Sequence, residues 1–125
     1  MNNAISDYGK IIISEEVVAT IAGITAIEID GVVGMSGGFV GGLGEILGRK
    51  NLSKGVKAEV GERETNIDLF IIVKYGSKIP DICEDMQEKV KKEVESMTGL
   101  EVREININVE GVSTEKDGSN EEDKY

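Results

Sequence analysis

Histidine and tryptophan are absent from this chain of 125 residues, and cysteine and proline occur once each, at Cys83 and Pro80. Missing histidine removes the commonest general base and the commonest metal ligand together. One cysteine cannot close an internal disulfide, which fits a reducing compartment. Aromatic residues make up only 4%, so the core must be built from Ile, Val, Leu and Ala. Long hydrophobic runs are also lacking. Val17 to Ile29 is the longest, 13 residues that include Glu28, against the roughly 20 that a bilayer requires. Met1 to Gly9 has no charged start followed by an apolar run, so no signal peptide is expected. Positive charge is scarce: 14 basic residues face 24 acidic ones, a net charge of −10. Such a field repels nucleic acid and bare anionic lipid. Membrane association would therefore need a protein partner.

The residues that are present read as one domain, 1–112, followed by a disordered acidic tail, 113–125. Lys10 to Ile13 is a β-branched run and predicts a strand. Ser14 stands where an N-cap belongs, with Glu15 and Glu16 in the first turn of a helix that Asp30-Gly31 ends. That helix is apolar around most of its circumference and predicts burial on more than one side, with Gly23 in close packing. Val56, Ala58 and Val60 alternate with polar residues, and so do Ile67, Leu69, Ile71 and Val73. The second series is the stronger strand and, with Phe70 and Ile72 on its other face, belongs in the middle of a sheet. Pro80 opens a second helix with an apolar stripe of Ile82, Met86, Val90, Val94 and Met97, which Gly99 terminates. A last strand carries Ile105, Ile107 and Val109, with a bulge expected near Arg103 because Leu100 and Val102 are out of phase. The order β-α-β-β-α-β predicts an α+β fold. It is a two-layer sandwich in which two helices cover one face of a four-stranded, mostly antiparallel sheet, with a long Gly-rich loop.

Nine of the sixteen glycines fall between Gly31 and Gly55. As a phosphate cradle the stretch fails. Gly44 to Asn51 is one residue short of a P-loop and lacks its magnesium-binding hydroxyl. Gly42-Leu43-Gly44 lacks the third glycine of a dinucleotide fingerprint and follows no strand. RNA binding is the alternative reading. Gly34-Met35-Ser36-Gly37 and Gly38-Phe39-Val40-Gly41 both match the GXXG loop of KH domains, and Arg49, Lys50, Lys54 and Lys57 follow. Against it stand the net charge and the lack of stacking aromatics. Glu62 and Glu64, and Glu121 to Asp123, read as a solvated turn and tail rather than as acid–base pairs. Cys83 reads as a small buried hydrophobe with no histidine to activate it. No catalytic, cofactor or metal residues are expected, and no small-molecule substrate.

What remains of the stretch is its scatter of apolar side chains. Met35, Phe39, Val40, Leu43, Ile46, Leu47 and Leu52 lie in about 25 residues of loop, a length that is usually functional. They can fold over the open sheet face beside Phe70 and Ile72, or dock on another chain. The candidate protein-interaction residues are Met35, Phe39, Val40, Leu43, Ile46 and Leu47.

Several phrases in order resemble one family. They are Gly9-Lys10-Ile11-Ile12-Ile13-Ser14, Ile21-Ala22-Gly23, Gly31-Val32-Val33-Gly34-Met35 and Leu52-Ser53-Lys54-Gly55-Val56-Lys57. Tyr75-Gly76, Val90-Lys91, Met97-Thr98-Gly99-Leu100 and Val109-Glu110-Gly111-Val112 continue the series. From about Gly9 to Val112 the chain resembles the alkaline shock protein / general stress family of Gram-positive bacteria, also called envelope stress response proteins. The resemblance implies a cytoplasmic, often abundant protein linked to cell-envelope stress and not known for catalysis. It also implies partners. Some members are held near the membrane by an integral membrane protein, and some self-associate.

Overall fold

A computed structural model describes residues 5–6, 8–36 and 54–114, with side chains described from Tyr8 onward within those ranges. The elements in chain order are β1 (Ile5–Ser6), β2 (Gly9–Lys10), α1 (Glu15–Ile27), β3 (Val32–Met35), β4 (Val56–Val60), β5 (Glu64–Lys74), α2 (Ile79–Thr98) and β6 (Glu101–Ser113). The fold is α+β, with two helices on one face of a four-stranded sheet, as the alternation pattern predicts. β3 and β4 run antiparallel to β5, and β6 runs parallel to it.

β5 is the axis of the sheet. Thr65, Ile67, Leu69, Ile71 and Val73 point to the helices and are buried to 1% exposure or less. Asn66, Asp68, Phe70 and Ile72 point the other way and are half-buried. The core is aliphatic, as the low aromatic content requires. It joins the odd residues of β5 to Val18, Ala22 and Ala26 of α1 and to Met86, Val90 and Val94 of α2. Thr65 is its one polar member, and its hydroxyl donates to the Glu59 carbonyl at 2.8 Å.

Both helices begin where their sequences mark a start and α2 ends at Gly99 as expected, but α1 stops at Ile27 with Glu28 as its C-cap, short of the expected Asp30-Gly31. Ser14 accepts from the Val17 N–H at 3.2 Å. Ala19, Ala22, Gly23 and Ala26 are buried, and their small size lets α1 lie close to its neighbours, α2 and β4. Gly99 caps α2 at φ +80°, a conformation that costs glycine nothing. Met97 is a departure from the expected stripe: it is 63% exposed, while Ile82, Met86, Val90 and Val94 are buried. Asp85 and Lys89 pair at 3.4 Å, and a second i,i+4 pair is Lys91 with Glu95 at 2.9 Å.

Two boundaries move. The strand expected at Lys10 to Ile13 is not part of the main sheet. Gly9–Lys10 pairs only with Ile5–Ser6, and Ile11 to Ile13 are unladdered. The reason is space: β3 and β4 together fill the edge of β5 from Thr65 to Val73. The fourth strand is instead Val32–Met35, from the start of the glycine-rich stretch. At the other end, β6 continues to Ser113, whose carbonyl accepts from the Tyr75 N–H at 2.8 Å. The ordered domain thus reaches past the expected boundary at 112. The bulge expected near Arg103 is present, between Val102 and Glu104, and a second lies at Glu110.

Candidate interaction site at the root of the glycine-rich stretch

β3 and β4 are two pieces of one lane. Met35 lies opposite Ile71 and Val56 lies opposite Leu69, so the two described ends of the glycine-rich stretch reach the same edge of β5 two residues apart. Phe70 stands between and holds both ends. The Ser36 N–H donates to the Phe70 carbonyl at 2.8 Å, and the Phe70 N–H donates to the Gly55 carbonyl at 2.9 Å. The closure needs glycine at position 55. Its φ is +79°, and a Cβ there would stand 2.7 Å from the Ser36 oxygen and 2.9 Å from the Met35 Cβ. The stretch is therefore an excursion with a clamped root, whatever lies between its ends.

The clamp sits at the rim of the open sheet face. Phe70 is covered in part by Lys57, whose ammonium lies 5.6 Å from the ring centre. The Asn106 amide donates to the Asp68 carboxylate at 2.9 Å, and the Asn108 amide donates to the Leu69 carbonyl at 3.2 Å. Ser36 at the root donates its hydroxyl to the Glu110 carboxylate at 3.0 Å, which ties the excursion to β6 across β5. Phe70 and Ile72 thus form a small apolar patch in a polar frame. The face asks for less cover than its two apolar side chains imply by themselves.

Of the expected interaction residues, Met35 is 4% exposed and packs in the core. It anchors the root and offers no surface. Phe39, Val40, Leu43, Ile46 and Leu47 lie outside the described residues. The RNA-binding alternative loses its first motif. Gly34 and Met35 are laddered to Ile72 and Ile71, so Gly34 to Gly37 is not a free GXXG loop. Arg49 and Lys50 lie outside the described residues, and Lys57 is engaged over Phe70 opposite Asp68.

Chemistry elsewhere is sparse. No cluster of three potential metal ligands occurs among the described residues. Cys83 is half-buried rather than fully buried, and burial pushes its thiol up from the ordinary range, away from the nucleophilic thiolate. The Val102 N–H, and after it the Lys91 ammonium, hold the Glu95 carboxyl below the usual carboxylate range. This is a structural contact between α2 and β6. A surface depression along Asp81, Glu84, Asp85, Gln87, Glu88 and Lys91 is open to solvent and mostly acidic. No helix among the described residues is long and apolar enough to cross a membrane.

Sequence comparison places these features among relatives. Residues 3–114 match the model of the alkaline shock protein 23 family, described as having a cell envelope-related function. The uncharacterized protein YloU of Bacillus subtilis (strain 168) is 43% identical over 107 residues, covering 84% of this chain and 89% of that protein. YqhY of the same strain is 38% identical over 112 residues, covering 90% and 83%. A stress response regulator gls24 homolog of Streptococcus pyogenes is 30% identical over 109 residues, covering 86% of this chain and 61% of the longer relative. Among solved structures, a zinc form of MamM CTD superposes with a TM-score of 0.54 at 14% identity, covering 82% of this chain and 90% of that one. At that identity the likeness extends to the fold alone.

Proposed function

Since the chain belongs to the alkaline shock protein 23 family, we propose that it is a non-enzymatic protein of the envelope stress response that works in the cytoplasm by binding other protein chains. The contact residues on this reading are Phe39, Val40, Leu43, Ile46 and Leu47, and the partner is an integral membrane protein, another copy of this chain, or both. The observation that carries the reading is the clamped root. Ser36 and Gly55, the described residues on either side of the segment that holds these five apolar residues, are both bonded to the backbone of Phe70. The absence of histidine and the raised Cys83 thiol support the non-enzymatic part.

The test is fractionation of cells that express the chain, with and without Phe39→Ser, Leu43→Ser and Leu47→Ser together. The unaltered protein should sediment in part with membranes, and the triple variant should shift to the supernatant with its melting temperature unchanged. An unchanged distribution would remove these residues from the interaction. Calorimetry should detect no binding of ATP, NAD or divalent metal, and mixed RNA at moderate ionic strength should be left unbound. Tight RNA retention that falls steeply with salt would favour the nucleic-acid reading instead.

A further inference from the structure

β4 is an edge strand: among the described residues only β5 pairs with it. Two bonds at its ends fix which way its backbone points. The Phe70 N–H donates to the Gly55 carbonyl at 2.9 Å, and the Gly61 N–H donates to the Glu64 carbonyl at 2.8 Å. Directly bonded pairs of an antiparallel ladder recur at every second residue, so Lys57 and Glu59 also turn their backbone groups to β5. Val56, Ala58 and Val60 turn theirs outward. The strand has no proline, and its ladder runs from Val56 to Val60 without a bulge. It therefore offers a regular row of outward donors and acceptors. The outer edge of β6 is different, because Gln87, Lys91 and Glu95 of α2 bond to it at Val102 and Ile105.

Beside the β4 edge runs an open groove. Its walls are the first turns of α1, with Glu15, Glu16 and Ala19, and β4 from Val56 to Glu59. The inner side chains are short: Ala19 is buried and Ala58 is half-buried. Side chains that enter from outside meet space there instead of bulk. The rim is acidic. Glu15 and Glu16 are exposed on the helix side, and Glu59 is exposed on the open face of the sheet. The cation that lines the groove, Lys57, is drawn over the Phe70 ring and lies opposite Asp68. α1 itself contains no basic residue.

We infer that this groove takes an extended, basic segment of another protein, which adds to the sheet as a strand beside β4. Backbone and charge together select that occupant. The outward groups of Val56, Ala58 and Val60 are satisfied by a strand, whereas a helix spends its backbone groups internally and leaves them unpaired. In an added strand alternate residues face the helix side and the open face. On the helix side, lysine or arginine stems lie over Ala19 and Ala58, and their charged ends reach Glu15 and Glu16. On the open face the neighbour is Glu59. The same charges disfavour a second copy of this chain. Pairing two β4 edges about a two-fold axis brings both α1 helices to one side, with Glu15 and Glu16 of each copy facing those of the other, between molecules of net charge −10. None of the residues proposed above for binding a partner is needed here.

Fluorescence anisotropy with a short labelled peptide of alternating lysine and valine tests it. The peptide should bind saturably at low salt and more weakly as salt rises. A peptide of the same charge with proline in place of valine lacks half of the N–H groups and should bind several-fold more weakly. A peptide of alternating glutamate and valine should not bind. Glu15→Lys together with Glu16→Lys should weaken the lysine–valine peptide several-fold, with the circular dichroism unchanged. Ala58→Pro removes an N–H that the ladder with β5 does not use, and should abolish strand addition. In the complex, amide hydrogen exchange should slow at Val56, Ala58 and Val60 and stay unchanged along β6. The glutamate pair and the exchange pattern decide even if Ala58→Pro unfolds the protein. No binding at low salt overturns the inference. So does equal binding of the proline peptide, which would mean charge attraction without a strand, or protection that falls elsewhere than on β4. Self-association without peptide that Ala58→Pro abolishes would give the edge to a second copy and overturn it as well. Peptide binding lost in the Phe39, Leu43 and Leu47 variant but kept in the Glu15 and Glu16 variant would move the site to the excursion.

Discussion

β5 carries two contrasting faces on one strand. Ile67, Leu69, Ile71 and Val73 are sealed beneath two helices, while Asn66, Asp68, Phe70 and Ile72 are half-open, with Asp68 bonded to Asn106 of β6 and Phe70 lying under Lys57 of β4. The sealed face supplies the hydrophobic stabilisation, at roughly 1.5–3 kcal/mol for each fully buried aliphatic side chain. The open face contributes less and stays accessible, and the root of the glycine-rich excursion opens onto it. One strand can therefore hold the fold on one side and leave the other to vary with function.

The sharpest way to break that comparison is to truncate neighbours. Ile71→Ala should cost about 2–5 kcal/mol through lost burial and a cavity, whereas Ile72→Ala should cost about 1 kcal/mol. Chemical denaturation of the two variants would measure the gap, and equal losses would show that the open face is covered. Next in size is Gly55→Ala, which forces a side chain into a left-handed backbone position against Ser36 and Met35. It should cost about 1–3 kcal/mol, and hydrogen exchange should rise first at Ser36 and Phe70.

A smaller effect is expected between α2 and β6. The folded state holds the Glu95 carboxyl below its ordinary range, so its stabilising contribution is present above that range. The contribution is lost as pH falls through the folded value. Glu95→Gln should cost on the order of 0.5–1 kcal/mol at neutral pH, a modest figure because the side chain is partly solvated. The difference from the unaltered protein should vanish in acid, and thermal melts across pH would show it. Least of all, truncation after Thr114 should move the melting temperature by no more than about a degree. A large drop would mean that residues 115–125 belong to the fold.

Much of the architecture is legible in local chemistry. The period-2 alternation from Ile67 to Val73, the cap at Ser14, Pro80 and Gly99 around the second helix, and the phase shift at Arg103 each mark an element. These signals succeed because they act over a few residues, through backbone sterics and the burial of one face. Where they mislead, the competitor is distant in sequence. Ile11 to Ile13 have strand propensity, but Val32–Met35 and Val56–Val60 occupy the edge they would have used. Val32 to Met35 is short and glycine-flanked, and it becomes a strand only because β5 offers partners.

The candidate surfaces divide in the same way. The composition of the stretch after Gly31, apolar residues scattered among glycines, sets it apart from the regular elements on either side. That its ends meet at Phe70, and that Met35 belongs to the interior, depends on pairing with a strand more than thirty residues downstream. The groove between α1 and β4 likewise has no local signature. Glu15, Glu16 and Glu59 read as ordinary wet-face residues until the helix is laid along the strand. Sequence by itself determined most of the elements, the aliphatic core, the acidity and the lack of histidine, because those follow from residue identity and short-range periodicity. Tertiary structure alone decided which edges are filled and which stay open, because a hydrogen-bonding edge is closed only by whatever packs against it.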